Sequence, residues 1–218
     1  MTMSGFNEKL YSFCEKVMLL AYLNILWVVF SLVGGVLFGI YPSTIALFSL
    51  MKTWREGNSD KVCFQEYKRI FKSQFISGNR LGVYITILLG IMMLNGILLY
   101  FNQSTAKPLL FVLFIISFVL TVVLMLYVFP VYVYFRTVPT NTLVYALIIG
   151  MAHPLRTLYL SIISFLILVV VYSTAGLPIF FGVSVVAFIA MKSILPTLVK
   201  MEETGSLDKA SQQWKAVN

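Results

Sequence analysis

Charge is what this sequence has least of. Only 11% of its 218 residues are Asp, Glu, Lys or Arg, against roughly a quarter in a water-soluble domain. Acid is scarcer still, because no Asp or Glu occurs between Glu66 and Glu202. The apolar stretches inside that gap, and the earlier one from Val17 to Met51, hold no carboxylate. Proton and sodium coupling commonly use intramembrane carboxylates, so a proton-coupled antiporter of the usual acidic kind is not expected. The chain has one histidine, His153, and two cysteines, Cys14 and Cys63. One His leaves no conventional zinc site. Both cysteines lie near segments that read as cytoplasmic, so no disulfide is expected. No GxxxxGK[ST] loop is present, which excludes nucleotide hydrolysis by that route and would leave ATP energy to a partner. No nucleophile stands in a recognisable pattern with a base. The expectation is a protein that is not an enzyme, with no cofactor and no metal.

What is abundant is apolar: 60% of the residues are hydrophobic. Runs long enough to cross a hydrocarbon layer recur from Val17 to Met201, so the bilayer is the solvent for most of the chain. Lys and Arg outnumber Asp and Glu 16 to 8. In a soluble protein that excess would suggest nucleic acid, but here the basic residues cluster just outside the apolar runs. That placement reads as topology and headgroup contact, with no nucleic-acid partner. The predicted organisation is an N-terminal cytoplasmic segment over 1–16, a helical membrane domain over 17–199 that includes a basic cytoplasmic segment over 52–80, and a cytoplasmic tail over 200–218. The first run is far longer than a signal-peptide h-region, so an uncleaved first helix is expected.

From Val17 to Met51 a single helix would be roughly 50 Å long at about 1.5 Å per residue, too long for an untilted crossing. Gly34 and Gly35 supply flexible backbone in its middle, and Pro42 suits the first turn of a second helix. These three residues are the candidate helix break. The predicted hairpin goes out over Val17 to Val33 and returns over Tyr41 to Trp54, with a re-entrant second arm as the alternative. Seven basic residues between Lys52 and Arg80 form the strongest cytoplasmic marker. Inside it Phe64, Tyr67, Phe71 and Phe75 recur at helical spacing, Asp60 is placed to cap the start, and Lys61, Lys68, Arg69 and Lys72 are candidate lipid-headgroup contacts. This amphipathic helix is expected in the membrane interface, its aromatic face in the lipid boundary.

Crossings are then expected over Leu81 to Phe101, Pro108 to Phe135, Leu158 to Ala175 and Ile179 to Val199. The second of these ends in Tyr127, Phe129, Tyr132, Tyr134 and Phe135 before Arg136, read as an aromatic belt, with a kink expected at Pro130. Thr142 to Ala152 is too short to span and reads as a second interfacial or re-entrant helix. The links Asn102 to Lys107 and Gly176 to Pro178 carry little charge and are placed outside, and the tail inside. The fold class is therefore an all-α polytopic membrane bundle of about six transmembrane helices, alternatively five, with one or two interfacial amphipathic helices. An internal match, Ala46 to Lys52 against Val186 to Lys192, is too short to establish a duplication.

Asn24, Asn95 and His153 are the candidate polar path or packing residues. A buried amide needs a hydrogen-bond partner, and with Ser31, Ser43, Thr44 and Thr86 the two amides could suit a hydroxyl-rich ligand. Gly35 to Gly39 and Gly78 to Gly82 match GxxxG, a spacing that lets helices approach closely.

Residues Gly34 to Arg55 read GGVLFGIYPSTIALFSLMKTWR. This glycine pair, the G-x-x-P-small-T step and the helix ending in Lys-x-Trp resemble the YesL-like family of uncharacterised bacterial membrane proteins. The likeness continues through Phe64 to Phe75 and the Ala-His-Pro-Leu at Ala152 to Leu155. The resemblance implies a bacterial plasma membrane and frequent company with uptake and breakdown systems for complex carbohydrates. It implies no established activity. The expected role is a non-enzymatic accessory to carbohydrate uptake or utilisation, partnered with permease subunits, and the alternative is a facilitative small-solute transporter with a polar path between helices.

Overall fold

The computed structural model describes residues 3–101, 107–136, 139–174 and 180–203. The links and tail named above, 102–106, 176–178 and 204–218, lie outside the described residues. Eight α-helices run through the rest: α1 Met3–Val33, α2 Ile40–Arg55, α3 Phe64–Ser73, α4 Phe75–Phe101, α5 Lys107–Phe135, α6 Pro139–Ala152, α7 Pro154–Ser173 and α8 Ser184–Glu203. A 3-10 turn, Ser59–Lys61, joins α2 to α3. Five helices are long and apolar enough to cross a membrane, over Phe13–Val33, Phe75–Phe101, Lys107–Phe135, Pro154–Val171 and Ser184–Glu203. Their outward residues include Ile87, Leu94, Phe111 and Phe165, all more than half exposed, which water would not tolerate in such numbers and lipid does. The protein is an all-α polytopic membrane protein.

The chain divides into two compact units, Met1–Phe75 with Ile162–Ile189 and Ile76–Ser161 with Ala190–Asn218. In the first, α1 starts at Met3, upstream of the apolar run, and ends at Val33. Gly34 and Gly35 follow, Gly35 with φ +78°, a left-handed conformation that glycine adopts without a Cβ penalty. The turn is tight: a Cβ on Gly39 would collide with the Ser31 backbone, and one on Gly34 with Gly39. Pro42 is the third residue of α2, where its missing N–H costs no helical bond. The arms are antiparallel, since Trp27 Nε1 donates to Thr44 Oγ1 at 3.0 Å while Ser31 backs onto Gly39. Every residue from Pro42 to Phe48 is buried, the polar Ser43 and Thr44 included.

Helix α3 departs from the sequence expectation. Its aromatic face packs on the hairpin through the buried Tyr67 and Phe71, while Phe64 stays half exposed. Phe30 of α1 meets Phe64 at 5.6 Å and both Tyr67 and Phe71 at 5.1 Å between ring centroids. Tyr67 is fully buried, and its hydroxyl donates to the Ser43 carbonyl of α2 at 2.8 Å. A ring with a hydroxyl is better served by a protein carbonyl than by hydrocarbon, which offers no acceptor. Asp60 does not cap α3 either. It sits in the 3-10 turn, and the helix begins after Cys63, which makes no side-chain capping bond.

In the second unit α5 and α6 pack together. Helix α5 continues through Pro130. Of its aromatic end, Tyr127, Phe129 and Tyr132 are buried, which leaves only the half-buried Tyr134 and Phe135 for a lipid-facing belt. Helix α6 holds fourteen residues, about 21 Å at 1.5 Å per residue, short of a 30 Å hydrocarbon core.

Candidate functional site

Where an apolar helix carries a polar side chain, the bond that side chain makes tells what it is for. Asn24 is 1% exposed on α1. Its Oδ1 accepts the backbone N–H groups of Val183 and Ser184, each at 3.0 Å. Those donors open α8, whose first internal bond is from Ala187 N–H to the Val183 carbonyl. A helix start leaves its first N–H groups unsatisfied, and in hydrocarbon no water can take them. Asn24 thus caps α8 from a distant part of the chain, doing for two donors what a local Ser or Asn does at an ordinary N-cap. Around the same hairpin, Thr44 accepts from Trp27 and donates to the Ile40 carbonyl at 2.7 Å. The hydroxyls of Ser31, Ser43 and Ser184 are buried without a hydrogen-bond partner among the described residues.

In the second unit the corresponding chemistry centres on Thr157. Its hydroxyl donates to the Gly150 carbonyl at 2.8 Å. With that proton committed, the Tyr127 hydroxyl, 2.9 Å away, is the donor to Thr157 Oγ1. Gly150 permits this arrangement, since a Cβ there would collide with Val123 and press on the Tyr127 ring. Phe118, Val122, Met151 and Leu158 wall an adjoining apolar groove of about 460 Å³. Tyr134 and Glu202 are joined by a further hydrogen bond.

Of the other sequence candidates, His153 stands at the break between α6 and α7, half-buried, and its carbonyl accepts the Thr157 N–H at 3.0 Å. Pro154 follows at the first position of α7, where proline fits. Asn95 is half-buried on α4, beside Gly96, which lies against the Phe114 ring. Asn24 belongs to the first unit, Asn95 and His153 to the second. Lys61, Lys68, Arg69 and Lys72 are all exposed. Arg69 pairs with Glu66, its Nε 2.7 Å from Oε2, and that hydrogen bond holds the Glu66 carboxyl below the usual carboxylate range. Cys14 and Cys63 are free thiols. Spacing alone could not find the Asn24 cap, the Tyr67 bond to Ser43 or the Thr157 network, because each joins segments that only the fold brings together.

The arrangement defines a class: a multi-pass helical membrane protein in which Asn24, Trp27, Tyr67, Tyr127 and Thr157 bond one helix to another, while most other Ser and Thr hydroxyls bond carbonyls of their own helix. Residues 20–96 match the model of a family described as "Protein of unknown function, DUF624". The chain is 32% identical over 207 residues to the uncharacterized protein YesV of Bacillus subtilis (strain 168), covering 91% of this chain and 98% of that one. It is 30% identical over 203 residues to the uncharacterized protein YesL of the same organism, covering 91% and 94%. To the uncharacterized protein YteU it is 29% identical over 207 residues, covering 92% and 90%. The chain belongs to this YesL-like family of uncharacterised membrane proteins. No solved structure matches it.

Proposed function

We propose that the protein is a non-enzymatic accessory to carbohydrate uptake or utilisation in a bacterial plasma membrane, with its C-terminus in the cytoplasm and permease subunits as partners. One observation carries the accessory part. Asn24, one of the two amides that read in the sequence as candidates for lining a path, spends its carbonyl oxygen on capping α8, which makes it a structural pin. The carboxylate-free stretch from Glu66 to Glu202 supports the absence of ion coupling. The carbohydrate part rests on the company that the family resemblance implies. Affinity capture of the tagged protein from native membranes in mild detergent, with mass-spectrometric identification, tests it. Enrichment of sugar-permease subunits over unrelated membrane proteins is expected; a clean, lone protein would refute it. A second reading, a facilitative small-solute transporter, draws on the unpartnered hydroxyls of Ser31, Ser43 and Ser184, which a hydroxylated solute could satisfy in transit.

A further inference from the structure

The hairpin returns α2 to the level at which α1 starts its apolar run, and a cavity of about 300 Å³ opens there. Glu15, Met18, Leu19 and Tyr22 of α1 line one side; their spacing of i, i+3, i+4 and i+7 puts all four on a single helical stripe. Trp54, from the last turn of α2, and Ser59 and Val62, from the turn that follows, close the other. The Trp54 ring is held by Phe188 at 5.5 Å, and the Tyr22 phenol is hydrogen-bonded to the Phe64 backbone. Both aromatic walls are therefore fixed from behind. Among the described residues the wall carries one full charge, the Glu15 carboxylate, and no Lys or Arg, although the chain as a whole is formally +8.

We infer that this cavity is a binding site for a small organic cation, an ammonium group on a short carbon body. An ammonium is attracted both by a carboxylate and by the faces of Trp and Tyr, while its methylene or methyl groups suit Met, Leu and Val. An anion would meet Glu15 unfavourably. A neutral sugar would find the Ser59 and Tyr22 hydroxyls, the Trp54 indole N–H and one carboxylate, fewer groups than a full ring of hydroxyls needs, and would leave the carboxylate charge unanswered. Glu15 stands two residues before the apolar run begins at Val17, at the depth of lipid headgroups. The ammonium therefore has two sources, the headgroup of an aminophospholipid or a free amine.

The test is tryptophan fluorescence of the full chain in nanodiscs, titrated with tetramethylammonium or ethanolamine. Phosphatidylglycerol nanodiscs are compared with ones containing phosphatidylethanolamine. A saturable change in emission is expected with the amines and not with glucose. Glu15→Gln should weaken it about tenfold, Glu15→Asp less, and Trp54→Leu should remove the signal. Glu56→Gln, a carboxylate paired with Lys52 outside the cavity wall, should leave affinity unchanged. Weaker amine binding in the phosphatidylethanolamine discs assigns the site to the lipid headgroup, and equal binding assigns it to a free amine. No saturable change, tighter binding of glucose, or equal affinity in a Glu15→Gln protein with wild-type helical circular dichroism would overturn the inference.

Discussion

Replacing Phe30 by Ala removes a side chain that touches three rings of α3. Phe30 is 7% exposed, with Phe64, Tyr67 and Phe71 around it. A buried Phe→Ala change costs about 3–5 kcal/mol, of which the aromatic pairs, at about 0.5–1.5 kcal/mol each beyond area burial, are one part. The loss falls on the docking of α3, because the Tyr67 bond to the Ser43 carbonyl, at about 1 kcal/mol net, cannot hold the helix alone. Local opening should be read by amide hydrogen exchange over residues 64–73 in detergent. At tenfold per about 1.4 kcal/mol, exchange there should accelerate by about two to three and a half orders of magnitude. Phe111→Ala, at an exposed site on α5, should leave these amides unchanged. Unaltered protection of α3 in Phe30→Ala would refute the docking and return the aromatic face to the lipid.

Asn24→Leu should destabilise the protein in a thermal or denaturant titration. Two membrane hydrogen bonds at about 0.6 kcal/mol each set the low end and two orphaned donors at about 1–3 kcal/mol each the high end, so a loss of about 1–6 kcal/mol is expected, with faster exchange at Val183 and Ser184. Gly150→Ala should cost about 1–3 kcal/mol by overpacking against Val123 and Tyr127, whereas Gly90→Ala, where a Cβ meets nothing, should be neutral or slightly stabilising in the same titration. Burial pushes the Tyr67 phenol above its ordinary range. The unfolded chain ionises it near pH 10 while the folded chain does not, so its contribution is complete below that pH and is lost as pH rises beyond it. The melting temperature should accordingly fall less steeply between pH 9 and about 11 in Tyr67→Phe than in the parent.

Most of the architecture was legible because hydrocarbon imposes length and hydropathy on a helix that water does not. The α1–α2 turn could be read from Gly34, Gly35 and Pro42, residues whose backbone preferences are local. The destination of an aromatic stripe could not. Phe64, Tyr67 and Phe71 look the same whether lipid or Phe30 receives them, and Tyr127, Phe129 and Tyr132 look the same as a belt or as core. Asn24 was legible as a residue that must bond, but its partners lie 159 and 160 residues away, beyond any spacing rule. Gly150 lacks a GxxxG partner and is marked only by the looser small-xxx-small spacing from Ala146.

The claim that these polar groups serve packing and not passage is tested most directly by solute flux in liposomes. Purified protein reconstituted at known orientation should admit oligosaccharides and small neutral solutes no faster than protein-free vesicles. Saturable flux that Ser43→Ala or Ser184→Ala slows, in protein of unchanged stability, would contradict it.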